Sequence, residues 1–196
     1  MLNLTPNQVR QLMAVIPPRS AFGRRDKAML AFLLHTGLRV GEVSKLLVSD
    51  VYHMNRVRGW LIVHAGLAKG GQERFVPLND CAQKAVEIIL AFNRQRGFSV
   101  EASAPLLVSR KHEQLSIRAI QRIVEGYREM AGLDVQATPH SFRHCYATAF
   151  VEKSDCATAQ KVLGHRLLSS TQRYLHPSPE RIEQTAKKLR WSEPEA

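Results

Sequence analysis

The chain has 196 residues, 44% of them hydrophobic, enough for one well-formed core but too few for two comfortable domains. Lys and Arg number 28 against 17 Asp and Glu, a formal net charge of +11. That excess attracts polyanions and makes nucleic acid the expected partner. Cys81, Cys145 and Cys156 form no C-x-x-C pair, which argues against a disulfide framework and a zinc ribbon.

In chain order, Thr5 caps a first helix with Pro6 in its first turn and Val9, Leu12, Met13 and Ile16 on one face; Pro17-Pro18 stops it. Residues 25 to 36, RDKAMLAFLLHT, read as a largely buried helix that Gly37 closes. A short helix follows, with Val43, Leu46 and Leu47 facing inward. GWLIVHA and ERFVPL, within residues 59 to 78, are β-prone runs joined by the turn-rich GLAKGGQ, so a hairpin is expected. Asn79 or Asp80 caps a helix to about Arg94, with Ala82, Ala85, Val86, Ile89 and Leu90 on its inner face. Ser116 caps another, carrying Ile117, Ile120, Val124 and Tyr127. Thr138-Pro139 starts a helix to about Lys153, and Asp155 to Leu163 makes a further one closed by Gly164. Ser169 to Leu175 forms a short helix, and residues 180 to 190 a last amphipathic one. The expected fold is mainly α with one small antiparallel β-sheet, an α+β domain. The longest apolar run, Ala28 to Leu34, falls well short of the ~20 residues a membrane helix needs. MLNLTPNQVR lacks the apolar core of a secretory signal, so a cytoplasmic protein is expected.

Four stretches carry chemistry: HTGLRVGEVSKLL (residues 35 to 47), AKGGQERFVPL (68 to 78), TPHSFRHCYAT (138 to 148) and VLGHRLLSSTQRYLH (162 to 176). Attack on a phosphodiester gathers negative charge on the non-bridging oxygens, so catalysis rests on positioned cationic donors. Arginine suits this task because its planar fork grips two oxygens and stays protonated. Arg39, at a helix-to-helix corner after Gly37, and Arg143 are the candidates. His140 and Arg143 are three residues apart on one helix and share a face, with Cβ atoms about 5–6 Å apart. Tyr174 is the candidate nucleophile. A phenol titrates near pH ~10 and needs a base, a role that suits His140. His165, just past the Gly164 cap, is placed to donate to a phosphate oxygen. Lys69, in the glycine-flanked turn, is placed to reach a phosphate or protonate a departing 5′ oxygen. No metal or other cofactor is called for.

Together these residues resemble the active site of the tyrosine recombinase (phage integrase) family, over nearly the whole chain from Leu4 to about Pro177. TGLR-x-GE is similar to the family's first arginine box, with Gly41 in place of a small Ser. AKGGQERFVPL resembles its lysine turn, PHSFRH its His-x-x-Arg box, and LGH with STQRYLH its final box. The resemblance implies that Tyr174 attacks the scissile phosphate, leaving a 3′-phosphotyrosine and a 5′-hydroxyl. Rejoining then requires neither ATP nor a ligase. It also implies double-stranded DNA as substrate and a tetramer on paired sites. By this reading residues 1–177 form the catalytic domain, and 178–196 a tail whose short helix docks on a neighbouring subunit or folds back on its own domain. Relatives carry a separate DNA-binding domain ahead of the catalytic one. This chain is thus expected to be either a short single-domain enzyme or a catalytic fragment.

Among the remaining residues, Glu42 is expected to orient Arg39, and His144 to support the site by packing. Arg118 and Arg122 share a helical face and are candidates for DNA-backbone contacts, as are Arg24 and Arg25. Tyr127 fits a core stripe and Tyr146 is expected beneath the site. His35, His53, His64, His112 and His176 show no metal-like arrangement. Two other functions stay open at this point: a type IB topoisomerase, which uses a similar residue set without synapsis, and a non-catalytic DNA-binding regulator.

Overall fold

A computed structural model describes residues 4–66, 73–164 and 169–172. Lys69, His165, Tyr174 and the amphipathic segment at 180 to 190 lie outside the described residues. Helix α1 (Pro6–Ala14) opens on Thr5, whose side chain accepts from the Gln8 N–H while the Gln8 side chain returns to the Thr5 N–H. This reciprocal cap satisfies two of the donors a helix start leaves orphaned.

Helix α2 (Ala21–Thr36) begins four residues earlier than its apolar run suggested, because Ser20 caps it by accepting from the Gly23 N–H. Ala28, Met29, Leu30, Phe32 and Leu33 are all buried, so α2 is nearly enclosed, packed against α5 (Asp80–Gln95) and α7 (Pro139–Lys153). The remaining helices are α3 (Val40–Ser44), α4 (Val48–Val51), α6 (Ile117–Met130), α8 (Cys156–Leu163) and α9 (Ser169–Gln172). Asn79, Ser116, Thr138 and Asp155 cap their helices as the sequence indicates. Val43 and Leu46 are buried, but Leu47 is 37% exposed. It stands outside α3 as the N-cap of α4, and its N–H donates to Asp50.

The expected hairpin is present: β3 (Trp60–Val63) pairs antiparallel with β4 (Arg74–Pro77), Trp60 opposite Pro77 and Val63 opposite Arg74. A second, smaller antiparallel pair, β1 (Tyr52–His53) with β2 (Arg56–Val57), was not foreseen. Its two-residue turn puts Met54 and Asn55 at φ 48° and 59°, the left-handed geometry tight hairpins require. Asn tolerates that region but Met gives no hint of it. Among the described residues the architecture is therefore mainly helical with two small antiparallel sheets. One large core joins α1, α2, α5, α6 and one face of the β3–β4 hairpin, while Ala147, Val151, Ala159 and Leu163 form a smaller core between α7 and α8. No helix among the described residues is long and apolar enough to cross a membrane.

Candidate active site

The site begins where α2 stops. Gly37 closes α2 in the left-handed conformation, φ 61°, and a Cβ there would lie 2.2 Å from the Tyr146 ring of α7. Handedness and close approach both require glycine. Leu38 is then fully buried, and Arg39 turns outward as the N-cap of α3. The Arg39 backbone N–H donates to Glu42 Oε2 at 2.8 Å, its Nη1 to Glu42 Oε1 at 3.1 Å, and its Nη2 to the Gly164 carbonyl at 3.1 Å.

Glu42 is 2% exposed and has a second partner. Arg74 of β4 donates to both its oxygens, Nη1 to Oε1 at 2.9 Å and Nη2 to Oε2 at 2.7 Å. Burial alone would raise the Glu42 carboxyl, but the hydrogen bonds and charges of Arg74 and then Arg39 outweigh it and hold it below its ordinary 4.5. A carboxyl lowered by folding contributes stability that is fully present above its unfolded value and lost as pH falls through its folded value. Glu42→Gln is accordingly expected to remove part of the pH dependence of unfolding below pH ~4.5. Acid titrations of stability for the two proteins check this; parallel curves would refute it.

Helix α7 brings the next groups. Thr138 caps it, Pro139 and His140 form its first turn, and Arg143 follows one turn on. Arg143 is 3% exposed; it donates to the Gly37 carbonyl at 2.5 Å and to the Leu163 carbonyl at 2.6 Å. Arg74 Nε donates to the Val162 carbonyl at 2.9 Å. Three successive carbonyls at the end of α8 (Val162, Leu163, Gly164) thus accept from Arg74, Arg143 and Arg39. A helix end leaves its last carbonyls without intrahelical partners and carries a partial negative charge, and guanidiniums satisfy both. Gly164 itself is left-handed, φ 64°, and a Cβ there would lie 2.9 Å from Arg74 Cδ.

Arg39, Lys45, His140 and Arg143 line one cleft of about 450 Å³, walled by Leu38, Val40, Ile117 and Pro139. The positive end of the α7 dipole faces it, as an anion site favours. Glu42 also borders the cleft, its charge shared between two guanidiniums. An anion entering here meets two guanidiniums and an imidazole, the donor set that charge developing on a phosphoryl group requires.

The structure therefore brings Arg39, Glu42, His140 and Arg143 together. His144 is half-buried one position on, its ring near the Thr148 hydroxyl (3.4 Å), and does not line the cleft. Arg118 and Arg122 line a neighbouring groove of about 270 Å³, with Pro139 bordering both hollows. Arg24 is exposed in the first turn of α2, roughly 20 Å along the helix from Gly37 at ~1.5 Å per residue. Arg25 departs from expectation. It is 4% exposed, bound to Asp26 and to the Val108 carbonyl, and packs on Phe22 and Phe92. Its charge is engaged inside the protein by Asp26 and the Val108 carbonyl.

Sequence reasoning missed two cations. Lys45, exposed beyond α3, lines the cleft. Arg74 carried a usable signal: it alternates in step with Val76 of β4 and with Leu78 just past the strand, both buried, so strand periodicity placed it inward. Two further tyrosines, Tyr127 and Tyr146, are poor nucleophiles. Burial, then the Asp26 charge, pushes Tyr127 up to about 12, and its hydroxyl donates to Asp26 Oδ2 at 3.0 Å. Burial pushes Tyr146 up to about 12.

The sequence profile of the phage integrase family matches residues 3–181. The chain is similar to tyrosine recombinase XerC of Pelobacter propionicus, 34% identical over 198 residues, covering 98% of this chain and 62% of that protein. It is likewise similar to tyrosine recombinase XerD of Vibrio cholerae, 34% identical over 184 residues, covering 93% of this chain and 59% of that one. The chain thus spans about three fifths of the length of these relatives. In fold it resembles the crystal structure of XerA recombinase (TM-score 0.74, 24% identity, 97% of this chain and 66% of that one). It also resembles the Tn1549 transposon integrase in complex with a circular intermediate DNA (TM-score 0.75, 20% identity, 96% and 66%).

Proposed function

The chain belongs to the phage integrase family, and from that premise and the geometry of the cleft we propose that it is a site-specific DNA recombinase, cutting and rejoining strands through a 3′-phosphotyrosine at Tyr174. The observation that carries the reading is the convergence on one cleft of Arg39 and the His140–Arg143 pair, which is distant from it in sequence. In the proposed reaction the Tyr174 oxygen attacks phosphorus as the bond from phosphorus to the 5′ oxygen breaks. His140 takes the phenol proton, and Lys69 gives one to the departing 5′ oxygen. Arg39 and Arg143 hold the non-bridging oxygens, with His165 donating beside them. The ester to tyrosine keeps the bond energy, so attack by a 5′-hydroxyl rejoins the strand without ATP, metal or other cofactor.

The substrate is double-stranded DNA, gripped along its backbone by Arg118, Arg122 and Arg24, and two duplexes exchange strands in a tetramer on paired sites. Residues 1–177 form the catalytic domain, and the tail, 178–196, either docks on a neighbouring subunit or folds back on its own domain. The protein acts in the cytoplasm. The test is a duplex nicked beside the cleavage site, so that the short cut fragment diffuses away and rejoining stalls. A covalent protein–DNA adduct is expected with chelator present and ATP absent. No adduct on cognate DNA would overturn the reading; an adduct that needs a divalent metal would overturn its metal-free chemistry.

A further inference from the structure

Arg74 stands at the start of β4, five residues after Lys69 in the sequence, and three contacts define it. Each Glu42 oxygen receives one bond from Arg39 and one from Arg74: Oε1 from the two Nη1 atoms, Oε2 from the Arg39 backbone N–H and Arg74 Nη2. Arg74 Nε holds the Val162 carbonyl, and the Arg74 stem passes so close to Gly164 that no side chain fits there. The Arg74 side chain is 6% exposed and that of Arg39 26%, so the buried arginine is the anchor and the half-open one is what it holds.

Stability does not explain an arginine at this inward strand position. Buried ion pairs are often matched or bettered by apolar residues of similar size. Arg39 also reaches both oxygens, but through its own backbone and a half-open side chain, and the last carboxylate torsion has only a broad, shallow preference. The two-point grip of Arg74 sets the carboxylate plane, and that plane sets the direction of the Arg39 guanidinium.

We infer that Arg74 is a positioning residue: it locks Glu42 so that Arg39 points into the cleft, and it ties the β3–β4 hairpin to the end of α8 at Val162, three residues before His165. The catalytic half of this inference rests on the recombinase reading, while the locking is a property of the DNA-free protein. The loss expected for a slightly misplaced catalytic cation is about 10²-fold in rate.

The test uses Arg74→Met, close in size and able to leave Glu42 paired with Arg39, with Arg74→Lys as the milder variant should Arg74→Met fail to fold. In DNA-free protein, the Arg39 Nε–H resonance is expected to broaden and exchange faster in either variant. An unchanged resonance would overturn the locking whatever the activity. With saturating nicked DNA, Arg74→Met is expected to slow adduct formation by about 10²-fold at unchanged DNA affinity. Added to Arg39→Ala, it is expected to cause no further slowing. A full further loss on top of Arg39→Ala would show that Arg74 does not act through Arg39. Substituting a neutral methylphosphonate for the scissile phosphate, which lessens the charge Arg39 must meet, is expected to restore much of the Arg74→Met rate; a merely loosened fold would not be rescued. If wild type forms no adduct, the recombinase reading fails, and the Arg39 resonance still decides the locking.

Discussion

Tyr174→Phe is expected to form no covalent adduct on nicked DNA, while binding the same DNA as wild type does. The substitution removes one oxygen and leaves the ring. An enzyme that passes its substrate through a covalent ester cannot proceed without the atom that makes the ester. Tyr127 and Tyr146 offer no ready substitute, since burial pushes both up to about 12, helped at Tyr127 by the Asp26 charge. A gel that resolves free from DNA-linked protein reads the outcome. An adduct of normal yield with Tyr174→Phe would assign the nucleophile elsewhere.

Arg143→Ala is expected to lower the rate of adduct formation by about 10²–10³-fold, the usual loss when one donor to the developing charge is removed. DNA affinity is expected to stay largely intact, because affinity rests on many backbone contacts and this arginine makes few of them. The same side chain fastens two helix ends, donating to the Gly37 carbonyl of α2 and the Leu163 carbonyl of α8. Arg143→Ala leaves both buried carbonyls without that partner, at about 1–3 kcal/mol each, so its melting temperature should fall as well. Rates are therefore compared well below the melting point, together with Arg143→Lys. A lysine keeps the charge but cannot bridge both carbonyls, so it should recover little rate. A collapse of DNA binding in parallel with cleavage would show that Arg143 holds DNA rather than serving the reaction.

Much of the helical frame was legible because its signals are local. Thr5, Asn79, Ser116, Thr138 and Asp155 are side chains that accept from a backbone N–H three residues on, and the apolar spacing after each one follows. Ser20 performs the same task for α2, but it sits behind Pro17-Pro18 and ahead of a charged stretch, so the apolar run misdated the start. The β1–β2 turn escaped because Met54 adopts a conformation that its side chain disfavours, so its residue type does not announce the turn.

The site divides the same way. His140 and Arg143 are joined by helical spacing, and Arg39 to Glu42 by a three-residue step, so these pairs could be read directly. That both pairs share one cleft follows from the end of α8, whose three carbonyls gather Arg74, Arg143 and Arg39; no local pattern encodes that meeting. Nor does any local pattern separate Arg24, exposed, from Arg25, drawn inside by Asp26 and the Val108 carbonyl. Charge pairs read alike in sequence and are sorted only by packing.

The chemical identity of the protein–DNA link tests the whole account most directly. Trypsin cuts after Arg173 and Arg181 and so releases Tyr174 in the peptide YLHPSPER. Mass spectrometry of a digested, nuclease-trimmed adduct is expected to find a 3′-nucleotide on that peptide, through an acid-stable phosphotyrosyl bond. A nucleotide on any other peptide, or an acid-labile link to histidine, would contradict it.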